Sequence, residues 1–235
     1  MTSLWQQRPV GIVGLGLIGG SLALDLRAAG ARVHALVHRE KTALRARERQ
    51  LADRISVDPE VVKNCGLVIL ALPLDQLLNP DPRLMQALPR DAVITDVGSV
   101  KEPVIRKWSS VRRFVGSHPM AGTARSGVEA GEQGLFAGRP WVATPCNTTE
   151  PGALEAVRTL AEALGARWVC CEAALHDRAV ALISHLPVLV GAALISTADA
   201  GAAEHTGEGL PELTRLLASS GFADTTRVGG GNPRL

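Results

Sequence analysis

The stretch V-G-L-G-L-I-G-G, residues 13–20, decides the fold of this 235-residue chain. The β-branched run Val10–Val13 leads into it, and a helical segment and a second predicted strand follow it. Gly14, Gly16 and Gly19 have the G-x-G-x-x-G spacing that joins a strand to a helix in dinucleotide-binding folds. A bare glycine motif can also be a flexible loop, but the strand–loop–helix–strand context favours a dinucleotide site.

Each position of this loop has a predicted task at a pyrophosphate. Gly14 permits a tight turn, Gly16 lets the backbone approach the phosphates, and Gly19 lets the helix pack on the strand. The backbone amides at the start of the helix, at Leu17 and Ile18, lie at the positive end of its dipole. We therefore predict that these five residues contact the cofactor.

The composition excludes several classes of protein. Apolar residues make up 46% of the chain and charged residues 20%, as in ordinary globular proteins. The net charge of +2 gives no indication of nucleic-acid binding or of an anionic membrane surface. Four cysteines without a C-x-x-C pair, and no signal peptide, favour reduced thiols in the cytoplasm and no metal site. The apolar run Ala179–Ile195 is interrupted by polar residues and a proline, which favours a core helix over a membrane span.

Predicted strands alternate with predicted helices as far as residue 171, which is typical of a doubly wound parallel sheet. No strand pattern follows, and helices are predicted over about 173–202 and 211–219. We therefore predict an α/β chain with a Rossmann-type dinucleotide-binding domain, residues 1–171, and an all-helical domain, residues 172–235.

The end of the second predicted strand bears on the choice of cofactor. An Asp or Glu at this place binds the ribose 2′-hydroxyl of NAD, whereas His38 and Arg39 stand here, with Thr42 nearby. An arginine suits the 2′-phosphate of NADP, so the sequence favours NADP, with NAD possible. The alternative is that Arg39 is a solvated loop residue and that Glu40 takes the ribose.

Polar segments follow the later predicted strands, where ligands bind in parallel sheets. Leu72 and Pro73 end one strand, Ser99 lies in the segment D-V-G-S-V-K (96–101), and His118 lies in G-S-H-P-M-A-G (116–122). We predict that Leu72, Pro73 and Ser99 also contact the cofactor. A histidine can take a proton near neutral pH, and a serine hydroxyl can bond to it or to a substrate. A histidine that only stabilises the loop is the open alternative.

Five segments together are more specific than any one of them. They are G-L-G-L-I-G-G (14–20), D-V-G-S-V-K (96–101), S-H-P-M-A-G (117–122), I-S-H-L-P (183–187) and R-V-G-G-G-N-P (227–233). In this order the chain resembles the prephenate/arogenate dehydrogenase family of tyrosine biosynthesis, and especially the small cyanobacterial and plant-type arogenate enzymes.

The resemblance implies roles for single residues. It makes His118 the catalytic base and Ser99 its hydrogen-bonding partner, and it places His185 near the substrate as a third catalytic residue. It also implies that Arg227 binds a substrate carboxylate, with Gly122 and Thr123 in the substrate site. Without the resemblance, His185 could be a core histidine and Arg227 a surface arginine.

The implied activity is NADP-dependent oxidation of L-arogenate, a small molecule, by a homodimer joined through the helical domain. Family members continue beyond the last motif, so the helical domain is expected to be incomplete. The alternatives are prephenate dehydrogenase with NAD or NADP, another reductase of the β-hydroxyacid or imine type, and a non-catalytic nucleotide-binding module.

Overall fold

The computed structural model describes residues 4–123, 125–204 and 210–226. The chain divides into two compact units, a sheet unit (Met1–Asp177) and a helical unit (Arg178–Leu235). The domain boundary after residue 171 stays a prediction. The strands are β1 (Val10–Val13), β2 (Val33–Leu36), β3 (Arg54–Ser56), β4 (Leu67–Leu70), β5 (Val93–Asp96), β6 (Phe114–Pro119), β7 (Pro140–Thr144) and β8 (Arg167–Cys170). The helices that accompany them are α1 (Leu4–Gln7), α2 (Leu17–Ala28), α3 (Glu40–Glu48), α4 (Leu74–Leu78), α5 (Pro82–Ala87), α6 (Glu102–Trp108) and α7 (Pro151–Ala163), with a 3₁₀ turn at Pro59–Val62.

The eight strands form one sheet in the order β3-β2-β1-β4-β5-β6-β7-β8. Strands β1 to β6 are parallel, which confirms the predicted doubly wound α/β fold. The chain runs outward from β1 to β3, then returns to continue from β4 on the other side of β1. Ligands bind at this kind of reversal in open α/β sheets, at the carboxyl ends of the strands.

The last two strands depart from a fully parallel sheet. Strand β7 is antiparallel to β6, and β8 is parallel to β7. The described residues between β6 and β7 contain no helix, so the chain returns directly beside the strand it has left. A parallel neighbour would need a crossover connection, and α7 provides one only between β7 and β8.

Apolar side chains alternate between the two faces of the sheet and build one core on each. Ile12 and Ile69 pack on the face that is covered by α2 and α7. Val68 and Leu70 point to the opposite face, where Trp108 of α6 also packs. All residues of β1, β2, β4 and β5 are buried, as expected for parallel strands covered on both faces.

The helical unit is dominated by one long helix. This helix begins in the sheet unit with α8 (Ala173–Val180), enters the helical unit at Arg178, passes through a π-helical turn (Ala181–His185) and continues as α9 (Leu186–Glu204). Pro187 lacks the amide that an α-helical bond to Ile183 would require, and the π turn lies directly before it. The helices α10 (Leu210–Leu217) and α11 (Ser220–Thr226) follow; α11 was not predicted.

The prediction of a buried core helix in this region was wrong for the single chain. Ala173–Ala200 is a continuous helix that is long and apolar enough to cross a membrane, and 11% of its most apolar stretch is buried. The interruptions at 184, 185 and 187 therefore do not end it. One such helix is weak evidence for a membrane span, because a helix that is covered in an assembly has the same composition. Exposed apolar side chains of the helical unit include Leu182, Ile183, Leu186, Leu189, Val190, Leu216 and Leu217.

Candidate active site

The glycine loop after β1 is shaped by two close backbone contacts. Gly14 has a φ of +96°, and a Cβ there would collide with the carbonyl oxygen of Ala71. A Cβ at Gly19 would collide with the carbonyl oxygen of Gly14. Only glycine fits both positions, so the loop lies tightly between β1, α2 and the end of β4.

Gly16 differs from these two glycines, because nothing lies within 4 Å of a Cβ built on it. It is the N-cap residue of α2 and has no side chain to occupy the first-turn amides. The amides at Leu17 and Ile18 therefore begin the helix beside open space. This arrangement fits the pyrophosphate of a dinucleotide, which needs close backbone approach and unused amide donors.

The neighbouring strand β2 carries the residues predicted to select the cofactor. The Gly14 amide donates to the Leu36 carbonyl oxygen at 2.9 Å, so the ends of β1 and β2 are adjacent. His38 and Arg39 are exposed after β2, and Thr42 is half-buried in α3. The carboxylate of Glu40 lies 4.0 Å from the guanidinium of Arg47. Both a cation, Arg39, and an acid, Glu40, are therefore exposed after β2.

On the other side of β1, strands β4 and β5 end at the same edge. Leu72 is half-buried and Pro73 exposed directly after β4. Ser99 is exposed on the loop between β5 and α6. The parallel pairing of β1, β4 and β5 brings these residues to the edge that carries the glycine loop.

A buried ion pair supports the loop that holds Ser99. The side chains of Asp96 and Lys101 are both fully buried, and the Lys101 ammonium donates to the Asp96 carboxylate. The same carboxylate accepts the amides of Gly98 at 2.8 Å and Ser117 at 3.1 Å. Lys101 also donates to the Ser117 carbonyl oxygen at 2.8 Å. These contacts fasten the loop between β5 and α6 to strand β6.

Burial lowers the pKa of the Lys101 ammonium, and the charge and hydrogen bond of Asp96 oppose that shift. A buried ion pair is tolerated when hydrogen bonds satisfy its charges, and here the carboxylate accepts three hydrogen bonds and the ammonium donates two. No role was predicted from the sequence for Asp96 or Lys101, although both belong to the segment D-V-G-S-V-K. The available signal was a lysine five residues after an aspartate that ends a buried strand.

His118 lies in β6, one residue before its end. The sequence predicted a short strand ending at Val115, with His118 on the loop beyond it, and this was wrong. Strand β6 continues to Pro119 because its last four residues pair with β7. The half-buried His118 ring is therefore held on a strand beside the loop that carries Ser99.

A second histidine lies against the first. The Nδ1 atom of His118 lies 3.0 Å from Nε2 of His176, and the two rings meet edge to face. His176 is 3% exposed, and its Nδ1 lies 2.8 Å from Oδ1 of Asp177. The Asp177 carboxylate also accepts the backbone amides of Lys101 at 2.7 Å and Glu102 at 2.8 Å, at the start of α6.

Hydrogen bonding also sets the charge state of Asp177. Burial by itself would raise the pKa of this carboxyl. The bonds from the Glu102 amide, the His176 ring and the Lys101 amide outweigh burial and hold the pKa below its ordinary value. Sequence reasoning missed His176 and Asp177, because His176 lies 58 residues from His118 along the chain and no spacing rule connects them.

The remaining predicted residues fall in three places. Gly122 and Thr123 are exposed on the loop after β6. His185 is half-buried in the π turn of the helical unit. Arg227 lies outside the described residues. The structure thus gathers the glycine loop, Leu72, Ser99 and His118 at one edge of the sheet unit, and His185 belongs to the other unit.

Comparison with known families assigns both parts of the chain. Residues 22–170 match the nucleotide-binding domain of prephenate dehydrogenase, and residues 172–235 match its dimerization domain. The chain belongs to the prephenate dehydrogenase family. This confirms the resemblance inferred from the five sequence segments.

Members of the prephenate dehydrogenase family are similar to the chain along nearly all of it. A prephenate dehydrogenase from Bacillus subtilis is 33% identical over 95% of this chain, which spans 61% of the length of that relative. The structure of Synechocystis arogenate dehydrogenase is 42% identical, with a TM-score of 0.75, over 96% of this chain and 80% of that one. Prephenate dehydrogenase from Aquifex aeolicus, in complex with hydroxyphenyl propionate and NAD⁺, is 29% identical, with a TM-score of 0.85, over 96% of this chain and 79% of that one.

Proposed function

We propose that the protein is an NADP-dependent arogenate dehydrogenase, which converts L-arogenate to L-tyrosine by oxidative decarboxylation. The observation that carries this proposal is the position of His118. Its ring lies on the strand-end edge that also carries the open glycine loop and Ser99. A base and a dinucleotide site at one edge are what oxidation of a ring alcohol requires.

His118 is the general base of this reaction. Arogenate carries a ring hydroxyl and a ring carboxylate on opposite carbons of a cyclohexadiene. His118 takes the proton of the ring hydroxyl while hydride leaves the carbon that bears this hydroxyl. The ring carboxylate departs as carbon dioxide, and the ring becomes aromatic. A nicotinamide dinucleotide held at the glycine loop through its pyrophosphate would supply the hydride acceptor. Ser99 orients the hydroxyl towards His118.

Other residues of the chain position the substrate. Gly122 and Thr123 follow His118 on an exposed loop that is open to a ligand. His185 in the π turn and Arg227 bind the substrate, and Arg227 pairs with a carboxylate. Arginine suits this task because its planar guanidinium can hold a carboxylate through two parallel hydrogen bonds.

The NADP preference rests on the residues after β2. Arg39 is exposed there, as is Glu40, the alternative ribose ligand, whose carboxylate lies 4.0 Å from the guanidinium of Arg47. A 2′-phosphate would gain a charge-assisted hydrogen bond from Arg39, and a 2′-hydroxyl would gain less. His38 and Thr42 complete this end of the cofactor site.

A second copy of the chain covers the exposed apolar helix, so that the working protein is a homodimer. We place this homodimer in the cytoplasm. The match of residues 172–235 to a dimerization domain supports this proposal. The apolar side chains exposed along α9 and α10 also support it, because surfaces of this kind mark association sites.

Prephenate dehydrogenase is the second candidate, since relatives with that name are 29–33% identical to the chain. Measuring kcat/KM for arogenate and prephenate, each with NADP⁺ and NAD⁺, separates the two. We expect the highest value for arogenate with NADP⁺. A higher value for prephenate would replace the proposed substrate, and absence of turnover with all four pairs would favour a nucleotide-binding module.

The same assay tests Arg39. Arg39→Ala should weaken the binding of NADP⁺ by about 1–3 kcal/mol, because one charge-assisted contact to the 2′-phosphate is lost. The binding of NAD⁺ should weaken much less. The control is Lys41→Ala, which removes an exposed cation two residues away. Equal losses for the two cofactors, or the same loss in the control, would contradict the assignment.

A further inference from the structure

We propose that His176 and Asp177 are a positioning pair that fixes the tautomer of His118 and so leaves its Nε2 as the basic atom. This inference rests on the proposed role of His118 as the base. It concerns two residues that do not touch the reacting atoms and that act through His118.

Hydrogen bonds hold the carboxylate of Asp177 in a fixed direction. Its two oxygens accept the amides of Lys101 and Glu102, at 2.7 and 2.8 Å. Backbone amides only donate, so Asp177 is bound as an ionised acceptor. The pKa of this carboxyl lies below its ordinary value, as stated above, which agrees with an ionised group at neutral pH.

The next link is the His176 ring. Its Nδ1 lies 2.8 Å from Oδ1 of Asp177, and a carboxylate without a proton can only accept there. The His176 proton is therefore on Nδ1. In a neutral ring the Nε2 atom then carries a lone pair and acts as an acceptor.

The last link is the 3.0 Å contact between Nε2 of His176 and Nδ1 of His118. An acceptor on one side requires a donor on the other, so His118 carries its proton on Nδ1. The opposite tautomer would set two lone pairs against each other at this distance. Only the Nδ1–H tautomer gives His118 an unprotonated Nε2, which is the atom that can take the substrate proton.

Burial makes the chain of bonds effective. His176 is 3% exposed, and the side chain of Asp177 is 20% exposed, so bulk water competes poorly for these bonds. The nearby ammonium of Lys101 is directed to Asp96 and to the Ser117 carbonyl oxygen instead. Asp177 is therefore the charged group that meets the His176 ring through a hydrogen bond.

The pair also acts during the reaction. When the substrate hydroxyl proton moves to Nε2 of His118, that ring becomes a cation. Its Nδ1–H still donates to His176, and the negative charge of Asp177 lies beyond. No proton needs to move to His176, which keeps its own proton on Nδ1 throughout.

The direct test is the tautomer of His118, read from ¹⁵N chemical shifts of the histidine rings in the free protein. The chain has six histidines, and the signals that vanish in His118→Asn identify the ring. We expect His118 to carry its proton on Nδ1 in the wild type. His176→Phe should lose this preference, and His176→Gln, whose side-chain carbonyl can accept the same bond, should keep it.

The kinetic test uses the same variants. His176→Phe should lower kcat by about 10–100-fold, less than the loss from a wholly wrong tautomer, because His118 still samples the right one. His176→Gln should restore most of that loss. In a His118→Asn background the change to Phe should alter kcat by less than about twofold, because no base is left to position.

Two results would overturn the proposal. One is a wild-type His118 that carries its proton on Nε2, as it would if His176 were a doubly protonated donor. The other is an equal loss from His176→Phe with and without His118, which is the behaviour of a structural residue. The tautomer is measured without substrate or cofactor, so failure to oxidise arogenate or prephenate would count against the proposed function alone.

Discussion

A lysine lies fully buried in the sheet unit, whereas leucines of the helical unit lie in solvent. Lys101 is inaccessible because Asp96 and the Ser117 carbonyl oxygen satisfy its charge. Leu182 is 69% exposed, although its side chain is among the most apolar available. Burial in this protein therefore depends on whether a matching surface is present, and polarity by itself does not decide it.

The sheet unit and the helical unit each contribute one histidine to the proposed site, and we expect substitutions of these two histidines to have different effects. His118→Asn should lower kcat by about 10²–10⁴-fold, because asparagine cannot take the proton. His185→Asn should act mainly on KM, since we assign His185 to substrate binding in the helical unit. Steady-state kinetics with arogenate and NADP⁺ distinguish the two.

The histidine assignment has a built-in control in cofactor affinity. Both variants should bind NADP⁺ as the wild type does, because neither residue belongs to the predicted cofactor site. If His185→Asn lost kcat as heavily as His118→Asn, or if His118→Asn kept most of its turnover, the base would be another residue.

Among the changes that affect stability, we expect removal of the buried ammonium of Lys101 to have the largest effect. Lys101→Met leaves the Asp96 carboxylate buried without its partner, which should lower the free energy of unfolding by about 3–5 kcal/mol. Lys63→Met, at an exposed pair with Glu60, should cost about 0–1 kcal/mol. All four tryptophans lie in the sheet unit, so urea unfolding followed by their fluorescence reports this unit alone.

A double variant shows whether the cost is that of an unpaired charge. Asp96→Asn combined with Lys101→Met removes both charges and should recover part of the loss. If the double variant were less stable than Lys101→Met by the full cost of a second buried group, the two charges would act independently and an unpaired charge would not explain the loss.

Two leucines extend the comparison to apolar side chains. Leu22→Ala, at a fully buried site in α2, should cost about 2–5 kcal/mol at every protein concentration. Leu182→Ala should change stability by less than about 0.5 kcal/mol in dilute protein, with a cost that grows as the concentration rises and the proposed dimer forms. Thermal unfolding followed by circular dichroism over a concentration series measures both.

A concentration-independent cost of 2 kcal/mol or more for Leu182→Ala would break the comparison. It would mean that the apolar helix is already covered within one chain. Equal, concentration-dependent costs for both leucines would instead mean that the sheet unit also requires association.

Local patterns predicted every strand of the sheet except β3, because the signals of the other strands each lie within a few residues. The glycine loop, the buried strands and the helix that contains Pro187 all depend on neighbours in sequence. The end of β6 was missed because residues 116–119 are held by β7, which begins about 20 residues later, and not by their own propensity. The pattern of one strand alone does not predict where that strand ends when the end is paired with a strand far away in the sequence.

The site shows the same division. His118 and Ser99 could be found from short segments, whereas the roles of Lys101, His176 and Asp177 depend on contacts between distant elements. The exposure of the long helix was also beyond the sequence, since an apolar composition is equally compatible with a core and with an interface. Arg227 lies outside the described residues and stays a prediction.

The hydrogen bonds of Asp177 have a consequence for isolating the nucleotide-binding part of the protein. A chain cut after residue 171 would keep all eight strands. It would nevertheless lose the acceptor that the Lys101 and Glu102 amides share, and with it the partner of His118 Nδ1. An excised domain should therefore stop beyond the last strand, within or after α8, if the histidine is to keep its setting.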